Sequence, residues 1–368
     1  MRGDCQRRQS QFWWNKGAVA GDHPWSSLVS RYETWWQRKN QTPLVQTWLP
    51  CAKELPPAAW CPQTESDWMD LKARVDWFGQ IVESTPLAAD SFHLFDVNFG
   101  PDILSVCYGS KIEFGEGTGT SWVHPIVGSC REVLDLEFSL QAPLWQRHLE
   151  LQALSLERSQ GRWLTGYADL HPSADLLVSL MGPETLAMDV VDDPEGFDLA
   201  LTKVAGGFEA AYLCSIAQLQ AAGQPTLNWM KTPVAGRHHV PSCDFSGLVS
   251  GEVFREFILP RVQAECQMMD RCIYHLDGPI ALRHLEAVLE IPEIHAIQWV
   301  YGAGQEPARK WTEVYQKIQA AGKGMMIHCV DPEDALEVSR ALHPEGCLYT
   351  VGGISEAEEA MALIHRLA

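Results

Sequence analysis

Short apolar segments alternate with amphipathic segments along most of the chain. Two apolar runs lie upstream and six lie after residue 160: 42–50, 91–100, 163–170, 226–230, 272–278, 296–300, 324–330 and 347–353. The intervening stretches have helical spacing, as at 66–84 and 194–219. Continuous apolar strands that alternate with helices are typical of a parallel sheet covered on both faces. Eight such strands predict a closed (β/α)8 TIM barrel in the α/β class.

Local signals at the segment ends support this interpretation. Pro194 suits the first turn of a helix, Ser250 is the expected N-cap of a helix over 250–270, and the last helix is expected to start at Ser355. The glycine-rich segment 108–128 predicts a β-hairpin. A doubly wound open sheet is the alternative, but no GxGxxG motif follows any strand.

The chain is expected to fold as one barrel domain over 41–368, because no linker-like composition interrupts it. The hairpin belongs to an expected insertion at about 105–160, before the third strand. Residues 1–40 are expected to be a tryptophan-rich extension. Of the 15 tryptophans, nine precede residue 80. They predict an aromatic-rich cap on the main domain, with a stacking surface for a flat ligand as the alternative.

Composition narrows the classes of partner. The formal net charge of −19 argues against nucleic acid and anionic membranes as main partners, and leaves a small molecule as the expected ligand. The 11 cysteines include no CxxC pair, so we expect mostly reduced thiols in a cytoplasmic protein. No apolar run is long enough for a signal peptide or a membrane helix.

Polar side chains cluster where the predicted strands end, which is where barrel enzymes carry their chemistry. The expected catalytic residues are Asp102, Asp169, His275, Asp277 and His328. The expected substrate contacts are Asn98, Trp122, Tyr167, Asp244, Gln298 and Trp299. Neighbouring residues of a strand face opposite ways, so only one of His328 and Cys329 can point inward.

The pair His275 and Asp277 is the most informative of these. Strand alternation places residues i and i+2 on one face, about 6.6 Å apart along the strand. Both side chains are good zinc ligands, and a His–Asp pair is equally suited to acid–base work. In a purely structural role, His275 would bond a backbone carbonyl while Asp277 capped the helix after Pro279. His239 and Cys243 are the candidates for further metal ligands.

Three segments resemble the uroporphyrinogen decarboxylase superfamily: MGPETLAMDVVDDPE (181–195), DFSGLVSGEVFREFILPRV (244–262) and YHLDGPIALRHLEAVLEIPEIHAIQWVYGAGQ (274–305). The superfamily includes zinc-dependent methyltransferases that move methyl groups between corrinoid proteins and thiols. The resemblance covers roughly residues 90–360 and implies a β/α barrel. It places Asp277 where the methyltransferases carry a zinc-bound cysteine, and the distant cysteine expected near 351–355 is absent.

The decarboxylase branch is less well matched. Its members carry an arginine-rich loop after the first strand, and residues 49–61 contain no arginine. Asp96 or Asp102 matches the aspartate that follows their second strand, although the motif around it differs.

The preferred hypothesis is therefore a methyltransferase or demethylase that depends on zinc or a similar divalent metal, with a methylated corrinoid on a partner protein as one expected donor. The first alternative is a metal-free decarboxylase in which Asp102, Asp169 and Asp277 stabilise a cationic intermediate while His275 or His328 delivers the proton. The second is a non-catalytic binder of a small ligand.

Overall fold

The computed structural model describes residues 25–50, 64–116 and 120–368. Its ten strands follow the predicted apolar runs in most places: β1 (Leu44–Gln46), β2 (Leu94–Phe95), β3 (Ile112–Phe114), β4 (Ser121–Val123), β5 (Leu164–Thr165), β6 (His238–His239), β7 (Arg271–Asp277), β8 (Ala296–Val300), β9 (Gly324–Cys329) and β10 (Cys347–Val351).

Helices cover the connections between the strands. The α-helices are α1 (Trp25–Trp36), α2 (Glu65–Met69), α3 (Leu71–Ser84), α4 (Cys130–Val133), α5 (Pro143–Ser159), α6 (Ser173–Met181), α7 (Pro183–Asp192), α8 (Pro194–Ala221), α9 (Gly251–Val253), α10 (Leu259–Gln267), α11 (Leu285–Leu289), α12 (Thr312–Ala320), α13 (Pro332–Ser339) and α14 (Ala357–Leu367). As predicted, Ser250 caps its helix by accepting a hydrogen bond from the Val253 amide. The last helix has Glu356 rather than Ser355 at its N-cap.

Six parallel strands form one curled sheet in the order β1-β10-β9-β8-β7-β6, which is a half-barrel. Strands β2 and β5 form a second, two-stranded parallel pair. Backbone hydrogen bonds continue beyond this pair, from the Tyr167 amide to the Leu227 carbonyl and from the Asp90 amide to the Val45 carbonyl. The predicted hairpin is present as the antiparallel pair β3–β4. The α/β class is confirmed, with parallel strands in a curled sheet.

The region of the fourth predicted strand differs from expectation. Residues 226–230 contribute only a single bridge, between Thr226 and Val234. A turn interrupts the run, because the Lys231 amide donates to the Asn228 carbonyl and Lys231 has a positive φ of 55°. The strand that pairs with β7 is β6, which lies beyond the predicted run at 226–230. Two histidines in an apolar environment form it, a pattern that sequence periodicity does not single out.

Residues 105–160 hold more than a hairpin. After β3 and β4 the chain forms α4 and then the 17-residue α5. Helix α5 packs against α3 and β5, as a helix that covers a sheet does. Pro143 opens it, as favoured at a first helical turn.

Helix α8 is the longest helix among the described residues. By length and composition it would be long enough to cross a membrane, and half of its most apolar window is buried inside the protein. It packs against α4, α6 and α7. Burial of one face explains its apolar sequence, since a core helix needs the same residues.

The tryptophan-rich N-terminal part is only partly described. Trp13, Trp14 and Trp60 lie outside the described residues. Trp35 and Trp36 of α1 are buried, and the Trp35 indole donates to the Gly346 carbonyl at 2.8 Å, next to β10. Trp48 is different, with 51% of its surface exposed. The eight described cysteines are free thiols.

Candidate active site

Four polar side chains form a row across β7, β8, β9 and β10. His275 Nδ1 lies 2.6 Å from Gln298 Oε1, and Gln298 Nε2 lies 2.7 Å from His328 Nε2. His328 Nδ1 then contacts the Thr350 hydroxyl. Parallel pairing places His275 opposite Gln298 and His328 opposite Thr350. The row therefore lies on one face of the sheet, near the carboxyl ends of its strands.

The amide of Gln298 determines which nitrogens carry protons. Its oxygen can only accept, so His275 Nδ1 must donate to it; its nitrogen can only donate, so His328 Nε2 must accept. Burial, with a further contribution from His275, lowers the pKa of His328 to about 4, which keeps this ring neutral. The remaining nitrogen of His275, Nε2, is left with its lone pair free for a ligand or a proton.

His275 belongs to a group that has the geometry of a metal site. One ligand atom each from Asp244, His275 and Asp277 lies within 4.8 Å of the other two. Among the described residues, neither carboxylate accepts a hydrogen bond or forms an ion pair. Two free carboxylates beside a free imidazole nitrogen form a donor set suited to a divalent cation of the zinc type.

The structure lacks the contacts that a purely structural role of His275 and Asp277 would require. The helical turn after β7 spans Pro279–His284, has Gly278 at its N-cap and has no side-chain cap. Asp277 is exposed and does not cap it. His275 bonds the Gln298 side chain rather than a backbone carbonyl.

Asp244 is held in place by a buried carboxylate. Asp175 of α6 accepts hydrogen bonds from the Asp244 amide at 3.0 Å and the Phe245 amide at 2.9 Å. Burial raises the pKa of Asp175 to about 6, although His171 opposes this shift. These two bonds fix the loop after β6, so the Asp244 carboxylate reaches the end of β7.

A charged pair lies beside this group. His171 Nε2 is 3.0 Å from Asp169 Oδ2. Burial alone would lower the pKa of His171, but Asp169, Asp175 and Asp244 together raise it to about 10. His171 is therefore an imidazolium at neutral pH, which stabilises the surrounding carboxylates. His171, Asp175 and Asp244 also have ligand atoms within 4.8 Å of one another, but the proton on His171 competes with a metal there.

Asp96 and Lys231 form a second pair of charged groups. Asp96 follows the end of β2, and Lys231 lies in the turn after residue 228, near the end of β1. Burial, reinforced by Asp169, raises the pKa of Asp96 to about 7. Burial lowers the pKa of Lys231 to about 8, against the attraction of Asp96. The Lys231 ammonium lies 4.0 Å from the centre of the Trp48 ring. The charge of Asp169 interacts with His275 as well as with Asp96.

Two of the residues predicted as metal ligands do not join His275 and Asp277. In the parallel register of β6 and β7, His239 pairs with Cys272, and Ser242 is the residue level with His275. His239 packs on the Phe208 ring of α8 and lies 3.8 Å from Glu265. Cys243 is buried, and burial raises its pKa well above the usual value. The third residue of the group with His275 and Asp277 is Asp244 instead.

Three further predicted residues form hydrogen bonds to partners outside the group of Asp244, His275 and Asp277. Asp102 accepts a hydrogen bond from Ser179 at 2.5 Å, and the Asn98 side chain closes a local turn by accepting from the Gly100 amide. Tyr167 is buried and donates to the His238 carbonyl.

The two tryptophans predicted as substrate contacts are placed differently from each other. Trp299 is fully buried and packs against Trp311, because its neighbour Gln298 takes the inner face. Trp122 lies on the β3–β4 hairpin and is 41% exposed. Trp229, whose ring centre lies 5.3 Å from that of His275, is the tryptophan that contacts the predicted pair.

The predicted site residues did not include four further candidates: His171 and Asp175, which carry charge near Asp244, and the second pair, Asp96 and Lys231. Asp96 had been noted only as a match to the decarboxylase aspartate. His171 follows the end of a predicted strand, and that position is the signal that could have identified it. No local signal marks Lys231, because its importance arises from burial against Trp48, which is distant in sequence.

Comparisons with known proteins support the fold. No protein-family model matches the chain, and no curated protein matches it. Among solved structures, a methyltransferase from Methanosarcina mazei superposes with a TM-score of 0.60 and covers 92% of this chain and 98% of its own. The two chains share an α/β fold. Sequence identity is 13%, so the likeness concerns the fold and not the individual site residues.

Proposed function

We propose that this protein is a methyl-transfer enzyme that uses a divalent metal held by Asp244, His275 and Asp277. The single observation that carries the proposal is the convergence of two unpaired carboxylates on a histidine whose Nδ1 is occupied by Gln298. The fold shared with the methyltransferase of Methanosarcina mazei supports the reaction class. We further propose that the half-barrel is part of a closed (β/α)8 barrel with this site at its mouth.

The oxygen and nitrogen donors of this group are harder ligands than the thiolates of a cysteine-rich site. Two carboxylates and one imidazole suit zinc or a similar divalent ion, and the remaining coordination positions would be open to a substrate. When bound, such an ion supplies Lewis acidity that lowers the pKa of a thiol nucleophile. Gln298 keeps His275 in the tautomer that presents Nε2, and Asp175 keeps Asp244 at the same edge.

The residues around the group give a transferred methyl group a charged setting. In the proposed reaction the sulfur of a thiolate forms a bond to the methyl carbon while the bond between that carbon and the donor atom breaks. The leaving group keeps the electron pair. His171, protonated beside Asp169, offsets the negative charge of the carboxylates. A methylated corrinoid on a partner protein and a small methylated metabolite both fit as donors.

The test combines metal content with methyl transfer. Protein purified after growth with zinc should contain close to one equivalent of divalent metal by mass spectrometry. Asp277→Asn and His275→Gln should each lose most of it, whereas Asp331→Asn, in the turn after β9, should keep it. Methyl transfer from methylcobalamin or a methylated amine to a thiol should fall with the metal. Less than a tenth of an equivalent in the wild-type protein contradicts the proposal.

One observation favours a lyase as the second candidate. The pKa of Asp96, raised to about 7 by burial, suits a carboxyl group that donates a proton near neutral pH. A metal-free decarboxylase would release carbon dioxide from a carboxylated substrate after complete chelation of metals. Retained turnover in the chelated protein, lost in Asp96→Asn, would favour this alternative over methyl transfer.

A further inference from the structure

Asp96 and Lys231 carry opposite charges but form no ion pair with each other. Their charges interact, since Lys231 lowers the pKa of Asp96 and Asp96 raises that of Lys231. No hydrogen bond or ion pair joins them, and neither is hydrogen-bonded through its charged group to any described residue. Asp96 Oδ1 is buried without a hydrogen-bond partner. A buried polar atom without a partner costs free energy unless a ligand or water satisfies it.

The backbone holds Lys231 in this position at a cost. Lys231 has a φ of 55°, in the left-handed region that side chains other than glycine rarely adopt. The Gln46 amide donates to the Lys231 carbonyl at 2.8 Å and so braces the turn from β1. The ammonium is directed over the ring of Trp48, which is itself 51% exposed. Strained backbone held by its surroundings is concentrated at functional sites.

The pair lies near the proposed metal group. The charge of Asp169 acts on both, since it raises the pKa of Asp96 and interacts with His275. Trp229, two residues before Lys231, packs its ring against His275. Through Trp229, the turn that carries Lys231 therefore lies close to the end of β7.

We propose that Asp96 and Lys231 anchor a small zwitterion, with its carboxylate on Lys231 and its ammonium N–H on Asp96. The requirement for both charges comes from the pair itself. The choice of an N-methylated zwitterion, namely a small N-methylated amino acid, rests on the proposed function. An N–H donor gives the Asp96 carboxylate a hydrogen-bond partner, and a carboxylate gives the Lys231 ammonium an anionic partner in addition to the Trp48 ring.

The test is calorimetric titration of the full-length, metal-loaded protein with three compounds of similar shape. N,N-Dimethylglycine carries both charges, 3-methylbutanoate only the carboxylate, and dimethylethylamine only the ammonium. We expect the zwitterion to bind at least tenfold more tightly than either singly charged compound. Equal binding of all three, or no binding of N,N-dimethylglycine at millimolar concentration, overturns the proposal without any variant being needed.

Variants then assign the two charges. Lys231→Met should weaken N,N-dimethylglycine at least tenfold and leave dimethylethylamine unchanged, whereas Asp96→Asn should weaken both of these compounds. Lys203→Met and Asp135→Asn, on the outer surface, are the matched controls and should bind as the wild type does. If Lys231→Met fails to fold, Lys231→Gln takes its place. Unchanged zwitterion binding in the folded variants contradicts the assignment.

Metal content separates this proposal from the proposed function. Lys231→Met and Asp96→Asn should keep the metal content of the wild-type protein. A metal-free protein that still selects the zwitterion would contradict the metal-dependent function and leave this subsite intact. A metal-loaded protein that shows no such selection would contradict the subsite alone.

Discussion

Gln298 lies between His275 and His328 and bonds both, through its oxygen at 2.6 Å and its nitrogen at 2.7 Å. One amide group therefore sets the tautomers of two histidines on the strands flanking its own. The consequence for His275 is that Nε2, and not Nδ1, is available to a ligand. Such outer contacts are known to orient metal-binding histidines and to tune their basicity.

Replacing Gln298 should weaken the metal site without removing a ligand. Gln298→Met keeps the size of the side chain but makes no hydrogen bond to either histidine, so the His275 ring loses its fixed tautomer and orientation. We expect the affinity for zinc to fall by about 10- to 100-fold. Competition with a chromophoric chelator measures it. Gln316→Met on the surface of α12 is the control, and an unchanged affinity in Gln298→Met would refute the role of this amide.

The metal ligands can be read from a cobalt spectrum. Cobalt bound by Asp244, His275 and Asp277 should show no thiolate charge-transfer band, since no sulfur is in the group. Asp277→Cys should introduce that band, because it places a thiolate beside His275. Cys243→Ala should leave the wild-type spectrum unchanged. A thiolate band in the wild-type protein that disappears in Cys243→Ala would restore Cys243 as a ligand.

Zwitterion binding should depend on pH in both directions. The pKa of Asp96 is raised to about 7, so its carboxylate is ionised above that pH. The pKa of Lys231 is lowered to about 8, so its ammonium is charged below that pH. The groups facing them are Asp169 and Arg74 on the Asp96 side and His93 on the Lys231 side; burial lowers the pKa of His93 to about 4, so this ring stays neutral over the range.

Affinity for N,N-dimethylglycine should therefore be highest between about pH 7 and 8 and fall on either side. Titration calorimetry from pH 6 to 9 measures this profile. In Asp96→Asn the decline on the acidic side should disappear, and a profile that is flat in the wild type contradicts the assignment.

Two adjacent glycines of α8 should respond oppositely to alanine. A Cβ at Gly206 meets nothing within 4 Å, so Gly206→Ala should stabilise the protein by about 0.5–1 kcal/mol through helix propensity. A Cβ at Gly207 would lie 2.1 Å from the Tyr108 hydroxyl, so Gly207→Ala should destabilise it by about 1–3 kcal/mol. Urea unfolding measures both, and each variant is the other's control. Equal effects would show that α8 does not pack against Tyr108 as described.

Much of the fold was predictable, because it depends on local periodicity. The runs at 272–278, 296–300, 324–330 and 347–353 became β7 to β10 almost residue for residue. Their side chains alternate between the two faces, which is why His275 and Asp277 were expected together and do belong to one group. The fourth predicted strand failed because the turn from Asn228 to Lys231, braced by Gln46, interrupts it.

The sequence by itself determined the α/β class, the strand ends that carry polar residues, and the pairing of His275 with Asp277 along one strand. Only the tertiary structure decided which distant residues join them. Strand register and helix packing place Ser242 and not His239 level with His275, bring Asp244 to the group through Asp175, and set Gln298 between two histidines. These contacts depend on how one strand lies against the next, which no local pattern encodes.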